Sequence, residues 1–147
     1  MEPAMEVKFY DMVKDELLKF AVILARYEEK WVYCRHKERD TYEIPGGHRE
    51  ANESVYQTAE RELREETGAE AFSLEPVCVY SVIGKNRVNE GGEEMFGMLF
   101  LAEILSLAEE LHSEMAEVIV SEDLPVKWTY PDIQPKLVEE AHRRGYL

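Results

Sequence analysis

From Glu53 to Thr67 the chain runs without a proline or a glycine and is rich in Ala, Glu, Arg, Leu and Gln, all fair to good helix formers. Asn52 stands before it as an N-cap whose side chain would accept from a first-turn amide. Glu53 would then lie near the positive end of the helix dipole, and Gly68 supplies a left-handed stop. Val55, Ala59 and Leu63 form one apolar stripe, so this helix must be covered by something on that side. At about 100° per residue, Glu66 falls roughly 20° from Ala59 and Glu62 roughly 60° from it. Two acids therefore share the inward face, and Glu65 projects to the side near the Glu62 edge. Like charges at this spacing cost a few tenths of a kcal/mol per pair, and more where water is scarce.

An acidic cluster turned inward is unfavourable unless a cation neutralises it. Oxygen-only ligands suit Mg2+ or Mn2+. No softer ligand set competes, because Cys34 and Cys78 are isolated and His36, His48, His112 and His142 form no pair at zinc spacing. A solvated acidic face remains the alternative at this point, since charge runs are usually that.

The spacing extends beyond the helix. Gly47, five residues, Glu53, seven residues, then Arg61-Glu62-Leu63-Arg64-Glu65-Glu66-Thr67-Gly68-Ala69 resembles the Nudix box, G-x5-E-x7-R-E-U-x-E-E-x-G-U, where U is bulky and aliphatic. Every fixed position matches, and Ala69 is smaller than the usual last residue. Tyr42-Glu43-Ile44-Pro45-Gly46-Gly47 is similar to the family's strand and Pro-Gly-Gly turn before the box. Ser121-Glu122-Asp123-Leu124-Pro125 is similar to the segment after the last strand in many MutT-like members.

The resemblance implies an α/β fold, the Nudix α/β/α sandwich with a mixed β-sheet between helices, as a single domain over residues 1–147. It implies Glu62 and Glu66 as the main metal ligands and Glu65 as a second ligand or a water-activating group. Arg61 would hold these acids by ion pairing, Glu53 would support Arg61, and the Gly46 carbonyl would complete the metal shell. A later acid often joins, and Glu114 and Glu117 are the two candidates. The implied activity is Mg2+- or Mn2+-dependent hydrolysis of a phosphoanhydride. Metal ions neutralise the phosphate oxygens and activate water, so the protein mainly positions the reactants. ADP-ribose hydrolases of the family often carry a proline about 16 residues past the box, and dinucleoside polyphosphate hydrolases a tyrosine. Gly84-Lys85-Asn86-Arg87 has neither. The implied subclass is thus a MutT-like nucleoside triphosphate pyrophosphohydrolase, with oxidised nucleotides such as 8-oxo-dGTP among its substrates. A nucleotide-binding module that cuts nothing is the second reading. Such modules usually lose acids from the box, and this chain keeps all three.

Base recognition lies outside the box. Tyr42, Tyr80, Phe96 and Trp128 could stack on a base, Asn86 and Asn89 could read its edge, and Lys85 and Arg87 could bind phosphates. The plain alternatives are core packing for the aromatics and solvation for the polar residues. With 17 Lys and Arg against 31 Asp and Glu, the net charge is -14. Such a surface repels polynucleotides, so the expected partner is a small nucleotide, its charge met by metal. No apolar run is long enough to span a bilayer, the first twenty residues lack a signal-like core, and two cysteines fit a reducing compartment. These features lead to the expectation of a cytoplasmic protein, with monomer and homodimer both left open.

The remaining pattern predicts strands at Leu17–Arg26, Trp31–His36, Thr41–Ile44, Met95–Ile104 and Ala116–Val120, with one or two more between Glu70 and Gly84. Tyr27–Lys30 reads as a hairpin turn and Ser106–Met115 as loop or short helix. A terminal amphipathic helix is expected over Pro131–Arg144, its regular part beginning near Pro135.

Overall fold

The computed structural model describes residues 5–84, 91–108 and 115–147. Strands β1 (Glu6–Tyr10), β2 (Leu18–Tyr27), β3 (Lys30–His36) and β4 (Gly46–His48) precede helix α1 (Val55–Thr67). Strands β5 (Ala69–Ile83), β6 (Met95–Leu107) and β7 (Met115–Ser121) follow, and helix α2 (Gln134–Arg143) comes last. The strands run in the order β1-β5-β6-β2-β3-β7, with β4 also paired to β2. Strands β2 and β6 are parallel and the other pairings antiparallel, so the sheet is mixed.

The near-continuous apolar run of β2 follows from burial on both faces. Its Ala21, Ile23 and Ala25 pack with Val55, Ala59 and Leu63 of α1. Its Phe20 and Leu24 pack on the other side with Ile133, Leu137 and Ala141. One helix therefore covers each face, the α/β/α arrangement that the box resemblance implied. The β2–β3 hairpin turns through Glu28 and Glu29, both at positive φ (51° and 67°), as a tight primed turn requires.

The structure departs from the sequence reading in four places. Residues 41–44 are not a strand: Glu43 bridges Cys34 and Tyr42 bridges Trp128 as isolated pairs. The strand beside β2 is formed by the glycine pair and His48; the Pro45 carbonyl accepts from the Ile23 amide at 2.8 Å, and a Cβ on Gly46 would lie 2.6 Å from the Ala21 carbonyl oxygen, so only glycine lets the chains approach this closely. The N-cap of α1 is Ser54, which accepts from the Gln57 amide while Gln57 returns the contact in a capping box. Asn52 sits at φ 66° and belongs to the turn before. Strand β1 had no signal beyond a short alternation (Val7, Phe9); it is defined by its pairing with β5. The Gly68 stop and the Gln134 start of α2, with Pro135 in its first turn, agree with the sequence reading.

Candidate active site

Strand β4 and helix α1 face each other, and the backbone of one meets the acids of the other. The Gly46 N–H donates to Glu66 Oε1 at 2.6 Å. Glu66 is only 8% exposed. Burial raises its carboxyl well above the usual range; the Gly46 amide opposes this, and the charges of Glu62, Glu43 and Glu65 add to it. The Glu62 carboxylate lies flat against Gly47, where a Cβ would come within 2.4 Å of it. Glu62 is also raised, chiefly by burial, with Arg61 acting against that.

Arg61 is the cation of the cluster. Its Nη1 lies 2.6 Å from Glu62 Oε1 and 3.5 Å from Glu65 Oε2. Its Nε donates to Glu53 Oε2 at 2.9 Å, and its Nη2 to Glu53 Oε1 and the His48 carbonyl, each at 3.0 Å. Glu53, set just before the N-cap, also accepts from Thr58 Oγ1 and the Glu50 amide. These bonds, Arg61's first, hold the Glu53 carboxyl down to about 2. Glu53 in turn raises Arg61 above the usual guanidinium value. The Glu65 side chain is 55% exposed, so it borders solvent beside the two buried acids.

Among the described residues, no three His, Cys, Asp or Glu side chains stand as a ready metal cage. The arrangement is two buried carboxylates with a glycine pair pressed against them. That suits a hard cation such as Mg2+, which is usually held by one or two carboxylates together with waters and substrate phosphates. A positive ion beside Glu66 would also remove the like-charge penalty that it carries. The residues present fit such an ion.

On the α2 side of the sheet, a cavity of about 110 Å³ borders the same glycine pair. Its walls include Phe20, Val22, Ile44, Tyr80, Val82, Met95 and Leu137, and its polar lining includes Glu43, His48, Tyr130 and Gln134. Phe20 sits 5.5 Å from the His48 ring and 6.3 Å from that of Tyr80. Both Phe20 and Tyr80 lean over Gly97, where a Cβ would meet them at 2.5 and 2.9 Å. Among the described residues, Tyr80 is the one sequence candidate for the base that lines this space. Tyr42 packs edge-on against Tyr33 and bonds Glu117, and Phe96 lies against Tyr10. Asn86, with Lys85, Arg87 and Asn89, lies outside the described residues, as does Glu114. Glu117 sits on β7, paired to Arg35 at 2.8 Å, and that bond lowers its carboxyl.

Sequence reasoning missed Glu43, which is buried, ion-paired to Arg39 at 2.9 Å, and close enough to bear on Glu66. It also missed Gln134. An acid just before Pro-Gly-Gly could have pointed to Glu43; a lone glutamine before Pro135 carried no signal.

The family assignment follows from this site and from its match to known proteins. The model of the NUDIX domain matches residues 17–144, and the chain belongs to that family. It is 36% identical over 83 residues to a Bacillus subtilis (strain 168) protein named "Putative 8-oxo-dGTP diphosphatase YtkD". That match spans 56% of this chain and about half (52%) of the relative's length. Among solved structures, the Bacillus subtilis pyrophosphohydrolase BsRppH superposes with a TM-score of 0.77 at 24% identity, covering 97% of this chain and 92% of its own. The NUDIX domain of Shewanella oneidensis NrtR, complexed with ADP ribose, gives 0.62 at 17% identity, with 86% and 87% covered. At these identities the structural likeness concerns the fold. Among the described residues, no helix is long and apolar enough to cross a membrane.

Proposed function

We propose that this chain, as a single domain, is a divalent-metal-dependent pyrophosphohydrolase. Its substrate is a nucleoside triphosphate, or a nucleoside diphosphate joined to another group. A triphosphate yields nucleoside monophosphate and pyrophosphate. The observation that carries the reading is Glu66: a carboxylate 8% exposed, held by a backbone amide, with acids rather than a cation of its own around it.

Glu62 and Glu66 would hold the ion, Mg2+ or Mn2+, with Glu65 and the Gly46 carbonyl as further oxygen donors. When bound, it supplies positive charge to the phosphate oxygens and makes a water more acidic. The rest is positioning by the chain. The Gly46 N–H fixes the Glu66 carboxylate, and Gly47 leaves room for that of Glu62. Arg61, itself anchored by Glu53 and the His48 carbonyl, orients Glu62 and reaches Glu65. Glu65, the most exposed of the three acids, takes the proton from the attacking water on a carboxylate oxygen. The apolar cavity beside the glycine pair receives the base. Preference for oxidised nucleotides such as 8-oxo-dGTP is supported by the name of the B. subtilis relative over the matched half.

A panel of nucleotides with Mg2+ tests this. Release of monophosphate and pyrophosphate, abolished by a chelator, is expected. Faster cleavage of ADP-ribose or dinucleoside polyphosphates than of every triphosphate would reject a triphosphate as the preferred substrate. Binding without product would indicate a sensor rather than an enzyme.

A further inference from the structure

Gln134, the first residue of α2, is 5% exposed and lines the apolar cavity. Its Oε1 accepts from the Ile44 backbone N–H at 2.9 Å. That N–H can only donate, so the amide has one allowed orientation, oxygen toward Ile44 and nitrogen away from it. No buried side-chain nitrogen or oxygen is left without a partner among the described residues. Among the described residues Nε2 has no hydrogen-bond partner, so it is not sealed within protein, and the space that Gln134 lines is the cavity. The walls around it are mostly hydrocarbon: Phe20, Val22, Ile44, Val82, Met95 and Leu137.

We propose that Gln134 determines base specificity, its locked amide donating to a ring carbonyl and so favouring a 6-oxopurine over a 6-aminopurine. This rests on the proposed function and names the base that the same site takes. A 6-oxopurine presents an acceptor oxygen to the fixed N–H group. A 6-aminopurine presents hydrogens to hydrogens, and the amide cannot turn over without stripping Ile44 of its acceptor. An unpaired donor in an apolar cavity makes the mismatch costly.

Inosine and adenosine triphosphates form the cleanest pair, because they differ only around position 6 of the ring. With Mg2+, kcat/KM for inosine triphosphate should exceed that for adenosine triphosphate by about tenfold or more, one hydrogen bond's worth. In Gln134→Glu, measured at pH 8, the carboxylate still accepts from Ile44 but offers the cavity no donor. The preference should vanish or reverse, because the second carboxylate oxygen can accept from a 6-amino group and repels a 6-oxo group. A second readout omits metal and turnover: calorimetric titration with the two monophosphates, in which the wild-type protein should bind inosine monophosphate more tightly. Equal kcat/KM for the two triphosphates in the wild type, or a ratio unchanged in the variant, overturns the proposal. So does equal binding of the monophosphates. If no nucleotide were cleaved at all, the proposed activity would fail, while the binding comparison would still decide the role of Gln134.

Discussion

Gly47→Ala isolates the geometry of the metal-side acids from the stability of the fold. The added Cβ would lie 2.4 Å from both Cδ and Oε1 of Glu62 and 2.8 Å from Oε2. Ordinary contact begins near 3.4 Å, so the carboxylate must retreat by about 1 Å. It is the far end of a flexible side chain, so it can swing away without moving backbone. The retreat breaks or lengthens the 2.6 Å contact with Arg61 and takes Glu62 off the glycine pair. A misplacement of about 1 Å in positioned machinery costs on the order of 100-fold in rate, or about 2.7 kcal/mol of barrier. The variant should therefore keep its thermal midpoint within about 2 °C, a change well under 1 kcal/mol. Its kcat with saturating Mg2+ should fall about 100-fold. Steady-state pyrophosphate release and a thermal melt on the same preparation decide it. A folded variant with kcat within threefold of wild type would show that the Glu62 position seen here is not the one that matters.

Three further outcomes are expected. Glu66→Gln should lose at least about 100-fold in kcat, since charge stabilisation of several kcal/mol depends on that carboxylate; its melt should hold or rise, because a buried charge is removed while the acceptor for the Gly46 amide remains. Gly97→Ala should behave in the opposite way to Gly47→Ala. Its Cβ meets the packed rings of Phe20 and Tyr80, so a loss of about 1–3 kcal/mol in denaturant unfolding is expected. Glu140→Gln tests the C-terminal helix: hydrogen bonds from Arg143 first and Arg144 next hold the Glu140 carboxyl at about 2, below its ordinary 4.5. The folded value is lowered, so the stabilisation is present above pH about 4.5 and fades as pH falls toward 2. After discounting for the exposed Arg143, the variant should be about 1–2 kcal/mol less stable at pH 7, with the gap to wild type closing in acid. A gap that stayed constant with pH would refute the ion-pair account.

The acid helix was legible because its information is local. Glycine stop, proline-free run and inward Glu66 all lie within one stretch, and spacing converts directly to angle on a helix. The two faces of β2 were legible for the same reason, as an unbroken aliphatic run. Most of what escaped depended on partners distant in sequence. Strand β1 exists by pairing with β5, and the glycines became a strand because β2 lies beside them. The N-cap fell to Ser54 because Gln57 completes a reciprocal pair that Asn52 cannot reach. Gln134 was invisible because its meaning comes from Ile44, ninety residues earlier in the chain. Tyr42, an aromatic candidate for stacking, is held away by Tyr33 and Glu117 instead.

The stretch from Ile44 to Gly47 touches both sides of the sheet within four residues. Ile44 grips α2 and walls the cavity, while Gly46 and Gly47 seat the acids of α1. On the proposed function, this short span acts as a ruler, setting how far the recognised end of a ligand would lie from the bond that is broken. The two ends are built on different helices, so one can drift in evolution while the other stays fixed. A chain of this design can change what it eats without relearning how to bite.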